Sequence, residues 1–153
     1  GWHNKGLYFT IYTIASIVVR IFFSKTSDTY GRIPVLIYST LVLAASMFLM
    51  ILIPSPFTVI CSAILFGFAW GFNTPTLAAW TTDLANKNHM GRAMATMYIA
   101  LELGIGLGAI FAGQVYQGMT NNIPLPFLMS GILAIIAFLF LLRYHHNWQK
   151  NDL

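Results

Sequence analysis

The chain has 153 residues, and eight Lys and Arg against four Asp and Glu give it a net charge of +4. Charged residues make up only 8% of it and hydrophobic residues 58%, whereas soluble domains carry about 25% charged residues. This composition excludes a soluble globular domain and a disordered chain. The basic residues are scattered singly, which also excludes a nucleic-acid-binding surface. The chain is therefore predicted to be an integral membrane protein that contacts the lipid bilayer.

Five apolar segments are long enough to cross a bilayer, at residues 6–24, 33–53, 57–80, 93–116 and 125–142. A membrane helix needs about 20 mostly apolar residues, because it rises about 1.5 Å per residue through about 30 Å of hydrocarbon. The breaks between the segments are short and predict turns. The apolar runs are continuous rather than alternating, so transmembrane strands are excluded. The sequence predicts an all-α, multi-pass membrane protein with five transmembrane helices in a single domain.

Positive charges fall mainly on one side of these predicted spans. The first loop, the third loop and the tail together hold six basic residues: Lys25, Arg32, Lys87, Arg92, Arg143 and Lys150. The opposite side has one, Lys5, which precedes the first span. Because basic residues concentrate in cytoplasmic loops, we expect a cytoplasmic C-terminus in a membrane of the bacterial inner-membrane type. Five spans then place Gly1 outside, and we expect a preceding helix that the chain lacks.

Polar side chains distinguish three of the five segments. Segments two and five contain few of them and are expected to be lipid-facing supports. In the first segment, Thr13, Ser16 and Arg20 are spaced three and four apart and share one helix face. In the third segment, Trp70 and Asn73 are candidates to line a cavity. Helix–helix packing and hydrogen bonding are equally compatible with these two residues.

Glu102 lies near the middle of the fourth segment, one turn after Tyr98 on the same face. A carboxyl group in the middle of a membrane costs about 2.5–3.5 kcal/mol on insertion scales, so it is usually paired or faces water. One interpretation is a carboxyl that binds protons or substrate. The other is a protonated or paired carboxyl that only fixes helix packing.

Catalytic and cofactor-binding patterns are absent from the sequence. The four histidines lie in loops or the tail, and Cys61 is the only cysteine, so neither paired intramembrane haem ligands nor a cysteine-based metal site is expected. No H-E-x-x-H, G-x-S-x-G, phosphate-binding loop or C-x-x-C pattern occurs. We therefore expect a protein that is not an enzyme and that needs no metal or cofactor.

Three sequence patterns resemble those of the major facilitator superfamily. The loop 24–32 reads S-K-T-S-D-T-Y-G-R and is similar to the G-x-x-x-D-R-x-G-R-R signature between helices 8 and 9, with Asp28, Gly31 and Arg32 matching. Asp83 followed by M-G-R-A at 90–93 is similar to the acidic residue and R-G-x-A that link helices 10 and 11. The stretch E-L-G-I-G-L-G at 102–108 resembles the acidic-L-G-I-G-x-G stretch of efflux-type members. The resemblance implies that the chain covers helices 8 to 12, part of a six-helix C-terminal half.

The resemblance also implies a function for the two charged loops. In a carrier whose halves rock about a central site, contacts on the cytoplasmic side must hold it closed and then release it. Asp28, Gly31, Arg32, Asp83 and Arg92 are the residues expected to form such a gate. Exposed ion pairs contribute only about 0–1 kcal/mol each, which suits contacts that open in every cycle. The other interpretation is that these charges only set the topology.

The sequence therefore favours part of a proton-coupled exporter of a small solute, completed by a missing N-terminal half. Its proposed substrate and proton residues are Glu102, Tyr98, Asn73, Trp70, Arg20, Ser16 and Thr13. The alternative is a non-transporting membrane subunit that packs against a partner protein through its glycine-rich faces.

Overall fold

The computed structural model describes residues 5–23, 25–52, 55–118 and 124–151. These residues form six α-helices joined by short connections: α1 Lys5–Phe22, α2 Thr26–Tyr30, α3 Arg32–Leu52, α4 Pro56–Leu84, α5 Met90–Gly118 and α6 Pro124–Asn151. A single 3-10 turn, Lys87–His89, lies between α4 and α5. Ser24 and Ile53, the predicted ends of the first two spans, lie outside the described residues, as does most of the last connection.

The helices differ from the predicted segments mainly at their ends. The first charged loop contains the short helix α2, and α6 continues well past residue 142 to Asn151. The sequence from 132 to 151 contains neither proline nor glycine, so nothing in it interrupts the helix. Four helices are long and apolar enough to cross a bilayer, and the apolar helix Gly6–Phe22 is shorter. The all-α membrane fold predicted from the sequence is confirmed.

The start of α4 follows directly from its local sequence. Ser55 has an extended backbone conformation and its hydroxyl accepts a hydrogen bond from the backbone N–H of Thr58. Thr58 in turn accepts from the backbone N–H of Ser55, at 3.0 Å between the two atoms, which completes a capping box. Pro56 occupies the first helical position, where no N–H is needed.

Gly31 separates α2 from α3. Its φ of 89° and ψ of 155° lie in a region that only glycine adopts readily. A residue with a β-carbon would be strained here, and the sharp turn places the start of α3 beside α2. Gly31, which matches the loop signature noted in the sequence, therefore occupies a position that requires glycine.

The helices pack in the order α1, α4, α3, α6, with α4 against both α1 and α3, and α3 against both α4 and α6. The prediction that the second segment is a lipid-facing support is therefore wrong for α3, which buries Val35, Leu36 and Ala44 between its neighbours. The sequence did not show this because lipid tails are as apolar as a protein interior. In contrast, no residue from Met90 to Val115 in α5 is buried.

Small residues bring α4 close to α1. A β-carbon added at Gly67 would meet the carbonyl oxygen of Tyr12 and would lie 2.8 Å from the β-carbon of Ala15. One added at Gly71 would lie 2.9 Å from the β-carbon of Val19. Neither position has room for a side chain, so these glycines set the distance between the two helices.

Hydrogen bonds join α4 to α3 on its other side. The Ser62 hydroxyl donates to the backbone carbonyl of Ser46, at 3.0 Å, and both serines are fully buried. Nearer the charged end, which is the end of the helices that carries Arg32 and Asp83, the Ser39 hydroxyl donates to Oδ1 of Asn73, at 2.6 Å. In a membrane such bonds contribute to helix association, at about 0.6 kcal/mol each on average.

We predict that Gly67→Ala lowers stability and that Gly104→Ala does not. The added methyl at Gly67 must push α1 away from α4, and overpacking of this kind costs about 1–3 kcal/mol. Gly104 has nothing within 4 Å of an added β-carbon and serves as the matched control. Thermal unfolding of the purified protein in detergent measures both. Equal unfolding temperatures for the two variants would contradict the close α1–α4 contact.

Candidate substrate path and charged gate

A hollow of about 200 Å³ lies between α1 and α4. The three polar residues predicted to share one face of the first segment line it together with Trp70: Thr13, Ser16 and Arg20. Ser16 is buried, whereas Thr13 and Arg20 are exposed. The structure therefore brings together four of the predicted substrate residues, from two different helices.

Trp70 forms the α4 side of this hollow, and Phe66 packs against Trp70 without lining the hollow. Trp70 stacks on Phe66, with ring centroids 6.1 Å apart and planes at 11°. Phe66 also meets Tyr12 of α1 edge to face, at 5.5 Å between centroids. The hollow thus combines an aromatic wall with hydroxyl groups and one guanidinium, which can contact both the apolar and the polar parts of a small molecule.

Asn73 has a different environment from Trp70. Its side-chain amide bonds to Ser39 of α3, and it does not line the α1–α4 hollow. This corresponds to the helix–helix hydrogen bond that the sequence left open as an alternative. Its predicted role in binding substrate remains a prediction.

Glu102 and Tyr98 lie on α5, away from the hollow. They border an open concave surface formed by residues of α5 alone, next to Gly106. Both side chains are exposed. The structure thus places Glu102 in the middle of a helix that crosses the membrane with no described helix packed along this part of it.

Arg32, at the start of α3, lies at the centre of the charged residues that were predicted to form a gate. Its Nε donates to Oδ2 of Asp83 at the end of α4, at 2.9 Å, and its Nη1 donates to Oδ1 of Asp28 in α2. Nη1 also donates to the buried hydroxyl of Ser27, at 2.8 Å. One guanidinium therefore connects three helices, and both carboxylates remain more than half exposed.

Ser27 is a residue of this gate that sequence reasoning missed. It precedes Asp28, and a serine in a polar loop gives no signal by itself. The Ser27 hydroxyl meets Arg32 because this part of the loop folds into the short helix α2, which the sequence did not predict. By contrast, Arg92 was predicted to belong to the gate, and within the described parts of the chain it forms no ion pair.

Arg20 connects the hollow to the gate. Besides lining the α1–α4 hollow, it lines a second one of about 180 Å³ that Asp28 and Arg32 also border. The two hollows share this one side chain. The predicted gate residues and the residues around Trp70 are therefore separated by a single side chain.

We predict that Arg32→Gln lowers the free energy of unfolding by about 1–2 kcal/mol, because two exposed ion pairs and one hydrogen bond are lost together. Arg92→Gln, which removes the same charge from an arginine without an observed ion pair, is expected to change it by less than about 0.5 kcal/mol. Chemical unfolding in detergent at low ionic strength provides the comparison. A larger loss for Arg92→Gln would contradict the assigned centre of the gate.

The family model of the Major Facilitator Superfamily matches residues 3–152. An uncharacterized MFS-type transporter of Methanocaldococcus jannaschii is 27% identical over 132 residues, 86% of this chain and 34% of its own length. A multi-drug resistance efflux pump, the PmrA homolog of Lactococcus lactis, is 26% identical over 148 residues, 95% of this chain and 35% of its own length. The chain thus spans about a third of these relatives, and no solved structure matches it.

Proposed function

The chain belongs to the major facilitator superfamily, and we propose that it is part of a secondary transporter that exports a small organic solute in exchange for protons. The similarity to an efflux pump over 95% of the chain supports export. The proposed carrier lies in a cytoplasmic membrane with its charged loops and C-terminus on the cytoplasmic side, as the distribution of basic residues favours.

The observation that carries the proposal is the position of Glu102. It lies in a helix that is long and apolar enough to cross the membrane and whose apolar part has no buried residue. An unpaired carboxyl in that position is costly unless it is protonated or faces water. Contact with a water-filled path would let the carboxyl gain and lose a proton during transport. Tyr98, one turn away, would line the same path.

The substrate would be bound between two surfaces of the chain. One is the α1–α4 hollow with Trp70, Arg20, Ser16 and Thr13, and the other is the Glu102 face of α5. Asn73 does not line the α1–α4 hollow, and it would act indirectly, by holding α4 against α3 through its bond to Ser39. An aromatic wall and a carboxyl on the path suit an amphipathic or cationic solute.

The remaining part of the carrier would cover the open face of α5. The relatives are about three times as long as the matched region, so the native polypeptide is proposed to contain an N-terminal half that these residues lack. Rocking of the two halves about a central site would then provide access from alternate sides.

The gate would close the cytoplasmic side through Arg32, Asp28 and Asp83. Each exposed pair contributes only about 0–1 kcal/mol, so the contacts can break in every transport cycle. Gly31 holds α2 and α3 in the geometry that the pairs require. Arg92, without an ion pair in the described residues, would be available to the other half when the cytoplasmic side closes.

We predict that Glu102→Gln in the full-length carrier reduces proton-driven transport at least tenfold. Glutamine keeps the size and polarity of the side chain but cannot release a proton. Glu102→Asp keeps the carboxyl and is expected to retain part of the activity. Proteoliposomes with an imposed pH gradient provide the measurement, with an ethidium-type cation as the probe solute.

Two other outcomes would change this proposal. An unchanged rate and pH dependence in Glu102→Gln would show that the carboxyl does not couple protons to transport. A variant that no longer assembles in the membrane would instead favour the alternative function, a subunit that packs against a partner through α5. Size-exclusion chromatography in detergent separates the loss of assembly from the loss of turnover.

A further inference from the structure

An apolar groove lies away from the proposed substrate path. It has a volume of about 370 Å³ and runs between α2, α3 and α4, with Tyr30, Pro34, Tyr38, Val42, Phe68 and Phe72 among its walls. No charged side chain of the described residues lines it. This volume lies within the range of about 300–1,000 Å³ that is typical of small-molecule sites.

The groove runs along the helices from the charged end toward the middle of the membrane. From Pro34 to Val42 the α3 wall rises about 12 Å, and one leaflet of hydrocarbon is about 15 Å thick. Polar atoms lie at the outer end, on Thr26 and Tyr30 of α2, and the inner end contains Phe68 and Val42. The groove therefore has the depth, direction and polarity of one lipid molecule in the leaflet at the charged end.

Besides the largely exposed Tyr38, the described residues of the deeper part include one polar residue, Ser39, and its hydroxyl is already used. It lies within hydrogen-bond distance of the backbone carbonyl of Val35 and of Oδ1 of Asn73. It therefore offers no free donor to a polar ligand group at this depth. A hydrocarbon chain fits this part of the groove better than a solute with polar groups along its length.

Lys25 is the basic residue that lies next to the outer end of the groove in the sequence. It directly precedes Thr26, is exposed, and forms no ion pair with the residues that the structure describes. Arg32, the other basic residue of this loop, is occupied by Asp28 and Asp83. Among the described basic residues of this loop, Lys25 is thus the one without an ion pair, and it adjoins a residue that lines the groove.

We propose that this groove binds one acyl chain of an anionic phospholipid, whose phosphate contacts Lys25. The acyl chain lies along α3 between Tyr38 and Phe72, and the lipid headgroup stays at the level of α2. This site is separate from the hollow around Trp70, and it does not depend on the identity of the transported solute. Because Phe72 borders both the groove and the hollow beside the gate, a bound lipid also contacts a wall of the gate.

The test compares lipid binding to the full-length protein in detergent by native mass spectrometry. The probes are phosphatidylglycerol and phosphatidylcholine with identical acyl chains. Val42→Phe fills the inner end of the groove, and Val18→Phe adds the same bulk to an exposed position on α1 that does not line it. Lys25→Gln removes the charge at the outer end, and Lys87→Gln removes a charge from the α4–α5 connection.

We expect the wild-type protein to hold one phosphatidylglycerol more tightly than phosphatidylcholine. Val42→Phe is expected to weaken both lipids at least tenfold, whereas Val18→Phe leaves both unchanged. Lys25→Gln is expected to weaken phosphatidylglycerol alone by about fivefold, the effect of about 1 kcal/mol per surface cation. Lys87→Gln should keep the wild-type preference.

Three results would overturn the proposal. One is equal affinity of Val42→Phe and Val18→Phe for phosphatidylglycerol, and another is an unchanged lipid preference in Lys25→Gln. The third is displacement of the lipid by a transported solute, which would assign the groove to the substrate. Lys25 is exposed and lies outside the helix contacts, so its variant still decides the question if Val42→Phe does not fold.

Discussion

The close approach of α4 to α1 is the contact on which the rest of this structure depends. Between helices surrounded by lipid, apolar side chains gain little by leaving lipid for protein, so association needs close backbone contact and hydrogen bonds. Gly67 and Gly71 provide the first on the α1 side, and Ser62 and Asn73 provide the second on the α3 side. With α4 held in this way, the walls of all three hollows beside it are set: the hollow around Trp70, the one beside the gate, and the apolar groove.

The described glycines of α5, unlike those of α4, are not in contact with another helix. The α5 glycines at 104, 106, 108 and 113 have no neighbour within 4 Å of an added β-carbon, whereas Gly67 and Gly71 of α4 are in tight contact. The same helix carries the one carboxyl in the middle of a described span. A small-residue surface and an ionisable group exposed together on one helix are what a carrier would require of the surface that meets its other half and a water-filled path.

The end of the helices that carries Arg32 combines exposed ion pairs with one rigid backbone turn, at Gly31. Arg32 connects α2, α3 and α4 through contacts that are mostly exposed and therefore easily broken. Gly31, by contrast, fixes the turn between α2 and α3 in a conformation that other residues avoid. If these residues form the proposed gate, opening it would break the ion pairs and leave the backbone turn at Gly31 unchanged. The lipid groove uses the same short helix, so lipid and gate share α2 and Phe72.

The sequence by itself determined the class of protein, the number of apolar helices, and the face shared by Thr13, Ser16 and Arg20, because these depend on composition and on helical period. The resemblance of two loops to the family's signatures also indicated Asp28, Arg32 and Asp83. The sequence did not show that α3 lies between α4 and α6, since an apolar helix has the same composition in lipid and in a protein interior. Only the tertiary structure decided that Asn73 bonds to α3, that Ser27 joins the gate, and that Glu102 lies apart from the hollow around Trp70. Each of these depends on which helices are neighbours, and in a membrane that choice rests on a few small and polar residues that leave little trace in the hydrophobic pattern.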